Sequence, residues 1–498
     1  MVRILSIHIL DAHELAAKVL QEEISAKDVV SFFLERISKI NPALNAFVYT
    51  NEASALSQAS QVDVRKRQGE KMPLAGVPIA VKDVISVKDY QITCGSKILR
   101  GYIAPYDATV VERLKKAGAI IIGITNTDEF AMGSSTENSA YGPTHNPWSC
   151  TRVPGGSSGG SAVAVASGLS PVALGTDTGG SVRLPAAFTG VFGLKPTYGA
   201  VSRYGLIAYS NSLEQIGVFA RSVKDLALVY SVISGADTRD GTTQNFGWDL
   251  FSCMGNSIEN WKIGIVKETL AEGVDVSVQD ALRDCSSYLE RLGASVEEVS
   301  IKHIPFSLAA YYLIAMSEAS SNLARFDGVR YGEHTSFEEE WNVEFSKVRS
   351  LFGLEVKRRI LLGAYSLSAG YYEMFYEKAA RFRSLISEEF KEAFKQFDVL
   401  LTPTSPTPPF RLGEKLQDPL MMYLSDIHTV PVNLAGLPAL NLPVKIVQHD
   451  GELLPVGVQA IAPYGRDDKL FTLASALEKS AFIKKRIVEP WGRIVWTN

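Results

Sequence analysis

Two glycine-walled serine clusters carry the residue types best suited to chemistry. One reads Val-Pro-Gly-Gly-Ser-Ser-Gly-Gly-Ser at 153–161, the other Leu-Gly-Thr-Asp-Thr-Gly-Gly-Ser-Val-Arg at 174–183. Glycine at this density lets backbone N–H groups close on a ligand or an oxyanion, and serine is a common nucleophile in such loops. It also argues against a packed helix or a central strand there. A flexible linker is the bland alternative, but apolar, core-like sequence flanks both clusters.

Three uses of a serine compete. Gly155–Gly159 and Gly156–Gly160 both satisfy G-x-S-x-G, but that elbow needs a buried strand leading into it. Here residues 146–154 are polar and broken by proline. A phosphate-cradling loop needs a lysine after the glycines, and Ala162 stands in its place. Ser181 fits better, because an apolar strand at 171–175 precedes it and Thr178, Gly179, Gly180 and Ser181 offer consecutive N–H groups at a turn. A serine also needs a base. No histidine lies nearby, which leaves Lys82 or a distant histidine. Lys82 ends an apolar run at 76–81. It is either a snorkelling surface lysine or a desolvated one with a lowered pKa.

The elements that must position these residues alternate along the chain. Helices are expected at 11–23, from Ser25 (an N-cap, with Asp28 three residues on) to before Pro42, and at 52–68. Strand 76–81, helix 108–117 and strand 119–125 follow, then a loop at 126–135 whose Gly133 and Ser134 are candidate pocket-wall residues. Helix 162–167, strand 171–175 and helix 222–235 come next, then a polar excursion at 236–260. Strands at 262–266 and 295–300 flank helix 275–292. Helical patterns around 351–362 and 371–396, strands at 399–404, 440–447 and 456–462, and helix 468–479 complete the chain. This alternation predicts one large α/β domain on a mixed sheet.

Composition narrows the function. The 498 residues are 46 % hydrophobic with net charge −4, enough for a large core and unlike a basic nucleic-acid surface. Cys94, Cys150, Cys253 and Cys285 form no C-x-x-C pair, which argues against a zinc site or disulfide framework and fits a reducing cytoplasm. The seven histidines show no metal-ligand spacing. The N-terminus lacks a cleavage site, and no apolar run approaches a membrane span.

Lys82, the GGSSGGS cluster at 155–161 and T-D-T-G-G-S-V-R at 176–183 together resemble the amidase signature family. The resemblance implies a single amidase domain, with a mixed central sheet covered by helices on both faces. Residues 1–70 would be an N-terminal helical region packing on the core, and 71–498 the amidase domain, with its catalytic core at about 71–235. It implies Ser181 as the acyl-forming serine, Ser157 as a serine after a cis peptide, Lys82 as the base, and N–H groups of Thr178, Gly179 and Gly180 as the oxyanion hole. Leu184 departs from the family pattern, where a polar residue is frequent.

Residues 130–143, 317–332, 361–372 and 418–423 resemble, more narrowly, the A-subunit group of glutamyl-tRNA(Gln) amidotransferases within that family. This implies glutamine hydrolysis in the cytoplasm, with ammonia passed to a kinase/transamidase subunit beside a small stabilising subunit. ATP and Mg would be used by the partner, with no cofactor or metal in this chain. Misacylated Glu-tRNA(Gln) would be reached mainly through the partner, and no membrane is involved. Arg359 would hold the substrate carboxylate and Asp426 its ammonium, with Arg358 an alternative to Arg359. Two rivals remain: a stand-alone amidase for small or aryl amides, and a non-catalytic assembly protein.

Overall fold

In the computed structural model, which describes residues 4–334 and 338–497, the apolar runs become strands of one eleven-stranded sheet. These are β1 (Phe47–Thr50), β2 (Pro78–Lys82), β3 (Ile120–Thr125), β4 (Val172–Asp177), β5 (Phe192–Lys195), β6 (Gln215–Ala220), β7 (Lys262–Val266), β8 (Ser295–Val299), β9 (Val399–Pro403), β10 (Ala439–His449) and β11 (Glu452–Ile461). Their order is β1-β3-β2-β4-β6-β5-β10-β11-β9-β7-β8. β2 lies parallel between β3 and β4, and β7 parallel between β9 and β8. The strands between these blocks, and β1 at its edge, pair antiparallel. The sheet is mixed, as the alternation predicts.

Every residue of β2, β3, β4, β5, β6 and β9 is buried. A strand buried at both parities needs cover on both faces, which is why β2, β3, β4 and β9 read as largely apolar runs. Helix Gly159–Ala166 packs on β2 and β4, helix Arg183–Thr189 on β5, β10 and β11, and helix Val223–Ile233 on β6.

Local signals hold where side chains cap the backbone. Ser25 Oγ accepts from the Asp28 N–H at 3.0 Å, opening helix Ala26–Leu44. That helix runs through Pro42 rather than stopping before it, because Pro42 sits in its last turn and Asn45, in left-handed backbone, closes it through Asn41 O. The first serine cluster also departs from expectation, since Gly159 and Gly160 open a helix. A Cβ on Gly160 would lie 2.5 Å from Ala46 O and 2.6 Å from Asn126 N. The glycines there let a helix start press against backbone.

Strands β1, β5 and β6 and helices Arg183–Thr189 and Ser307–Asn322 were not expected. Helix Ser307–Asn322 is apolar around most of its circumference, so it shows no 3.6-residue stripe. Among the described residues no helix is long and apolar enough to cross a membrane. All four cysteines are free thiols.

Candidate active site

Lys82 is the last residue of β2, and its register with β3 and β4 carries it under the serine clusters. It is fully buried, which excludes the snorkelling alternative. Its Nζ donates to Ser157 Oγ at 2.7 Å and to Thr176 Oγ1 at 2.8 Å. Burial pushes its pKa down to about 7, against the pull of Asp128, Asp177 and Glu214. A neutral amine is therefore accessible near neutral pH.

The peptide bond between Gly156 and Ser157 is cis. The next N–H, that of Ser158, donates to Ser181 O at 3.2 Å, so the two clusters meet. Of the three candidate catalytic residues only Ser181 is partly open. No hydrogen bond joins the Ser157 and Ser181 hydroxyls, and Ser157 Oγ is held by Lys82.

Asp177 pins the second cluster. It accepts from the N–H groups of Gly180 (2.9 Å) and Val182 (3.1 Å) and pairs with the equally buried Arg183 at 2.8 Å. Burial pushes its carboxyl up, but the Arg183 guanidinium overrides this and holds it well below the usual range. This corrects one expectation. The Gly180 N–H is spent on Asp177, so the turn's N–H groups without a hydrogen-bond partner among the described residues are those of Thr178, Gly179 and Ser181. Gly179 faces Tyr311, and a Cβ there would lie 2.4 Å from the ring.

A wall of side chains stands opposite. Asp426, buried, accepts from Ser134 Oγ at 2.6 Å and from Tyr312 OH at 3.4 Å. Burial raises its pKa to about 7 against the pull of Ser134 and Arg359. Gly133 lies over Asp128, whose carboxylate a Cβ at 133 would overlap. Arg359 is buried, with its guanidinium 5.3–5.5 Å from the rings of Tyr209, Tyr312 and Tyr423. Its Nε donates to Glu355 and one Nη to Tyr209 OH, both at 2.8 Å, leaving Nη2 without a hydrogen bond among the described residues. Arg358 sits on a half-exposed side of the same helix, paired with Glu355. The geometry favours Arg359 as the inward-facing guanidinium. Both arginines line a narrow cleft with Gly133, Lys415 and Tyr423. Leu184 is buried against Val153, Phe410 and Met422, in an apolar cluster that accounts for its departure from a polar residue.

Sequence reasoning missed Thr176, Asp128, Tyr209, Tyr311 and Tyr312, and the structural role of Asp177. Thr176 and Asp177 stand inside a motif it singled out; the tyrosines carried no local signal. Among the described residues one group with metal-ligand side chains, Asp11, His13 and Asp225, lies at the N-terminal helix. It is made of ion pairs, Asp11 to Lys485 and Asp225 to His13.

The family described as Amidase matches residues 28–471. The chain belongs to the amidase family. This amidase is 52 % identical over 485 residues to the A subunit of the glutamyl-tRNA(Gln) amidotransferase of Carboxydothermus hydrogenoformans, covering 97 % of this chain and 99 % of the relative. It is 53 % identical over 467 residues to the protein of the same name from Deinococcus radiodurans, covering 94 % and 96 %. The solved structure of the Thermotoga maritima protein of that name superposes with a TM-score of 0.80 at 42 % identity, covering 95 % of each chain. A bacterial aryl acylamidase superposes equally well, with a TM-score of 0.83 at 26 % identity, covering 96 % and 98 %.

Proposed function

We propose that this amidase is the glutamine-hydrolysing A subunit of a glutamyl-tRNA(Gln) amidotransferase. The observation that carries the reading is the pairing of buried Arg359 and Asp426 across Tyr312, beside the buried Lys82–Ser157 contact. Free glutamine carries an α-carboxylate and an α-ammonium, and a guanidinium and a carboxylate match them.

In the proposed reaction Ser181 Oγ attacks the side-chain carbonyl of glutamine while its proton passes to Ser157 Oγ, whose own proton goes to neutral Lys82. The N–H groups of Thr178, Gly179 and Ser181 hold the oxyanion. Collapse breaks the C–N bond, and the proton returns through Ser157 to the leaving nitrogen, which departs as ammonia. Water then attacks the Ser181 ester, delivering its proton along the same relay, and glutamate leaves. Ammonia passes to a kinase/transamidase subunit that uses ATP and Mg to amidate Glu-tRNA(Gln), with a small third subunit stabilising the assembly. The net charge of −4 agrees with a protein that leaves most tRNA phosphate contacts to its partners. The N-terminal region is read as packing on the amidase core, and its strand β1 pairs with β3 of the central sheet.

The second reading, a stand-alone amidase, is favoured by the fold shared with the aryl acylamidase. Ammonia release from glutamine separates the two, measured for the lone chain and for the complex purified from its own cells. Activity concentrated in the complex and stimulated by ATP and Glu-tRNA is expected. Turnover of simple amides by the lone chain, with glutamine ignored in both preparations, would sink the amidotransferase reading.

A further inference from the structure

We propose that Glu129 is a positioning residue for substrate selection, capping the helix that carries Arg359 and tying it to the loop that carries Gly133 and Ser134. The inference rests on reading Arg359 as the grip on the substrate carboxylate. Gly353 stands immediately before helix Leu354–Ser366 and has no side chain with which to cap it. Its N–H donates instead to Glu129 Oε2 at 2.7 Å, from a residue 224 positions away. The other carboxylate oxygen accepts from the Ser96 hydroxyl. Glu129 is only 6 % exposed, so these bonds replace water almost completely. A carboxylate at a helix start satisfies an orphan donor and the positive end of the helix dipole together. A Cβ at position 353 would lie 2.3 Å from Oε2 and would displace the carboxylate from the N–H it accepts from.

Apolar contacts repeat the same connection. The ring of Phe130 lies 5.6 Å from that of Phe352, next to Gly353, and 4.9 Å from Phe326. Left-handed backbone at Phe130 and Ala131 (φ 50° and 60°) turns the chain sharply, with Glu129 on one side and Gly133 on the other. Within residues 128–134, Asp128 lies against Gly133 and Gly156, Glu129 holds the Arg359 helix, and Ser134 holds Asp426. One short stretch therefore sets the distance between the serine centre and both charged groups. A neutral amide needs only the serine centre. Loss of the Glu129 contact should be felt by glutamine and not by such an amide.

The test is steady-state hydrolysis of glutamine and of a neutral aryl amide by the full chain in its native complex, with thermal melting alongside. Glu129→Ala is expected to raise KM for glutamine about tenfold, with kcat within about twofold and aryl-amide turnover unchanged. Glu129→Gln keeps an acceptor for the Gly353 N–H and should recover most of the loss. Gly353→Ala attacks the contact from the other side and should reproduce the Glu129→Ala effect, and the double variant should be no worse than either single one. Equal damage to both substrates, a lowered melting temperature with KM unmoved, or a Glu129→Gln variant as poor as Glu129→Ala would each overturn the proposal. A wild-type complex that ignores glutamine would instead remove the reading beneath it, and the inference with it.

Discussion

Around Ser157 and Ser181 glycine backbone is pressed against neighbouring backbone, whereas the charged groups of Arg359 and Asp426 are surrounded by side chains. In the first region a Cβ on Gly156 would lie 2.5 Å from Ser135 N, and one on Gly160 2.5 Å from Ala46 O. Turn and strand are locked by Asp177 and Arg183, both fully buried. In the second region Tyr312 stacks on Tyr423 at 4.1 Å and Arg359 is held among aromatic rings and Glu355. A centre built from backbone contacts tolerates almost no added atom. A wall built from side chains changes its selectivity by substitution without moving the fold.

The largest expected effect tests the backbone-built centre. Ser181→Ala should lower turnover of glutamine and of a neutral aryl amide alike by about 10⁴-fold or more, with the melting temperature retained. An effect confined to glutamine would break the comparison, because the centre would then not be common to both substrates.

Arg359→Ala comes next. It should lower kcat/KM for glutamine by roughly 10²–10³-fold, the cost of truncating one side of a buried charge contact, and leave the aryl amide within about twofold. Parallel losses would mean that the wall also shapes the serine centre.

A third test uses pH. Lys82 must be neutral to accept a proton, and its pKa is lowered to about 7, so kcat for either substrate should rise as pH climbs through that value. Asp426 must be ionised to hold an ammonium, and burial raises it to about 7. KM for glutamine alone should therefore fall over the same range. Asp426→Asn should flatten the KM profile while leaving the kcat limb in place.

The smallest effect sharpens the choice of arginine. Arg358, half-exposed and paired with Glu355, should cost glutamine turnover no more than about threefold on replacement by alanine, the scale of a surface ion pair.

Legibility in the sequence followed the same division. The serine clusters and Lys82 stand beside apolar runs, so type and spacing marked them as candidates, while the roles of Ser181, Ser157 and Lys82 came from the resemblance to the amidase signature family. The helices opened by Ser25 and Ser222 were legible because a side chain caps a backbone three residues away. Helix Ser307–Asn322, which supplies Tyr311 and Tyr312, was not, because a helix buried nearly all round has no amphipathic stripe. The spent Gly180 N–H was hidden too, since a turn's composition does not say which donor its own aspartate captures.

Residue order and composition were enough to indicate the mixed α/β class, two candidate serine clusters and a near-neutral charge balance, because each is a local or an additive property of the chain. Folding settled what remained. It buried Lys82 deeply enough to lower its pKa, chose Arg359 over Arg358 as the inward guanidinium, and joined Glu129 to Gly353. Those outcomes depend on desolvation and on contacts between residues far apart in the chain, and neither is encoded in local spacing.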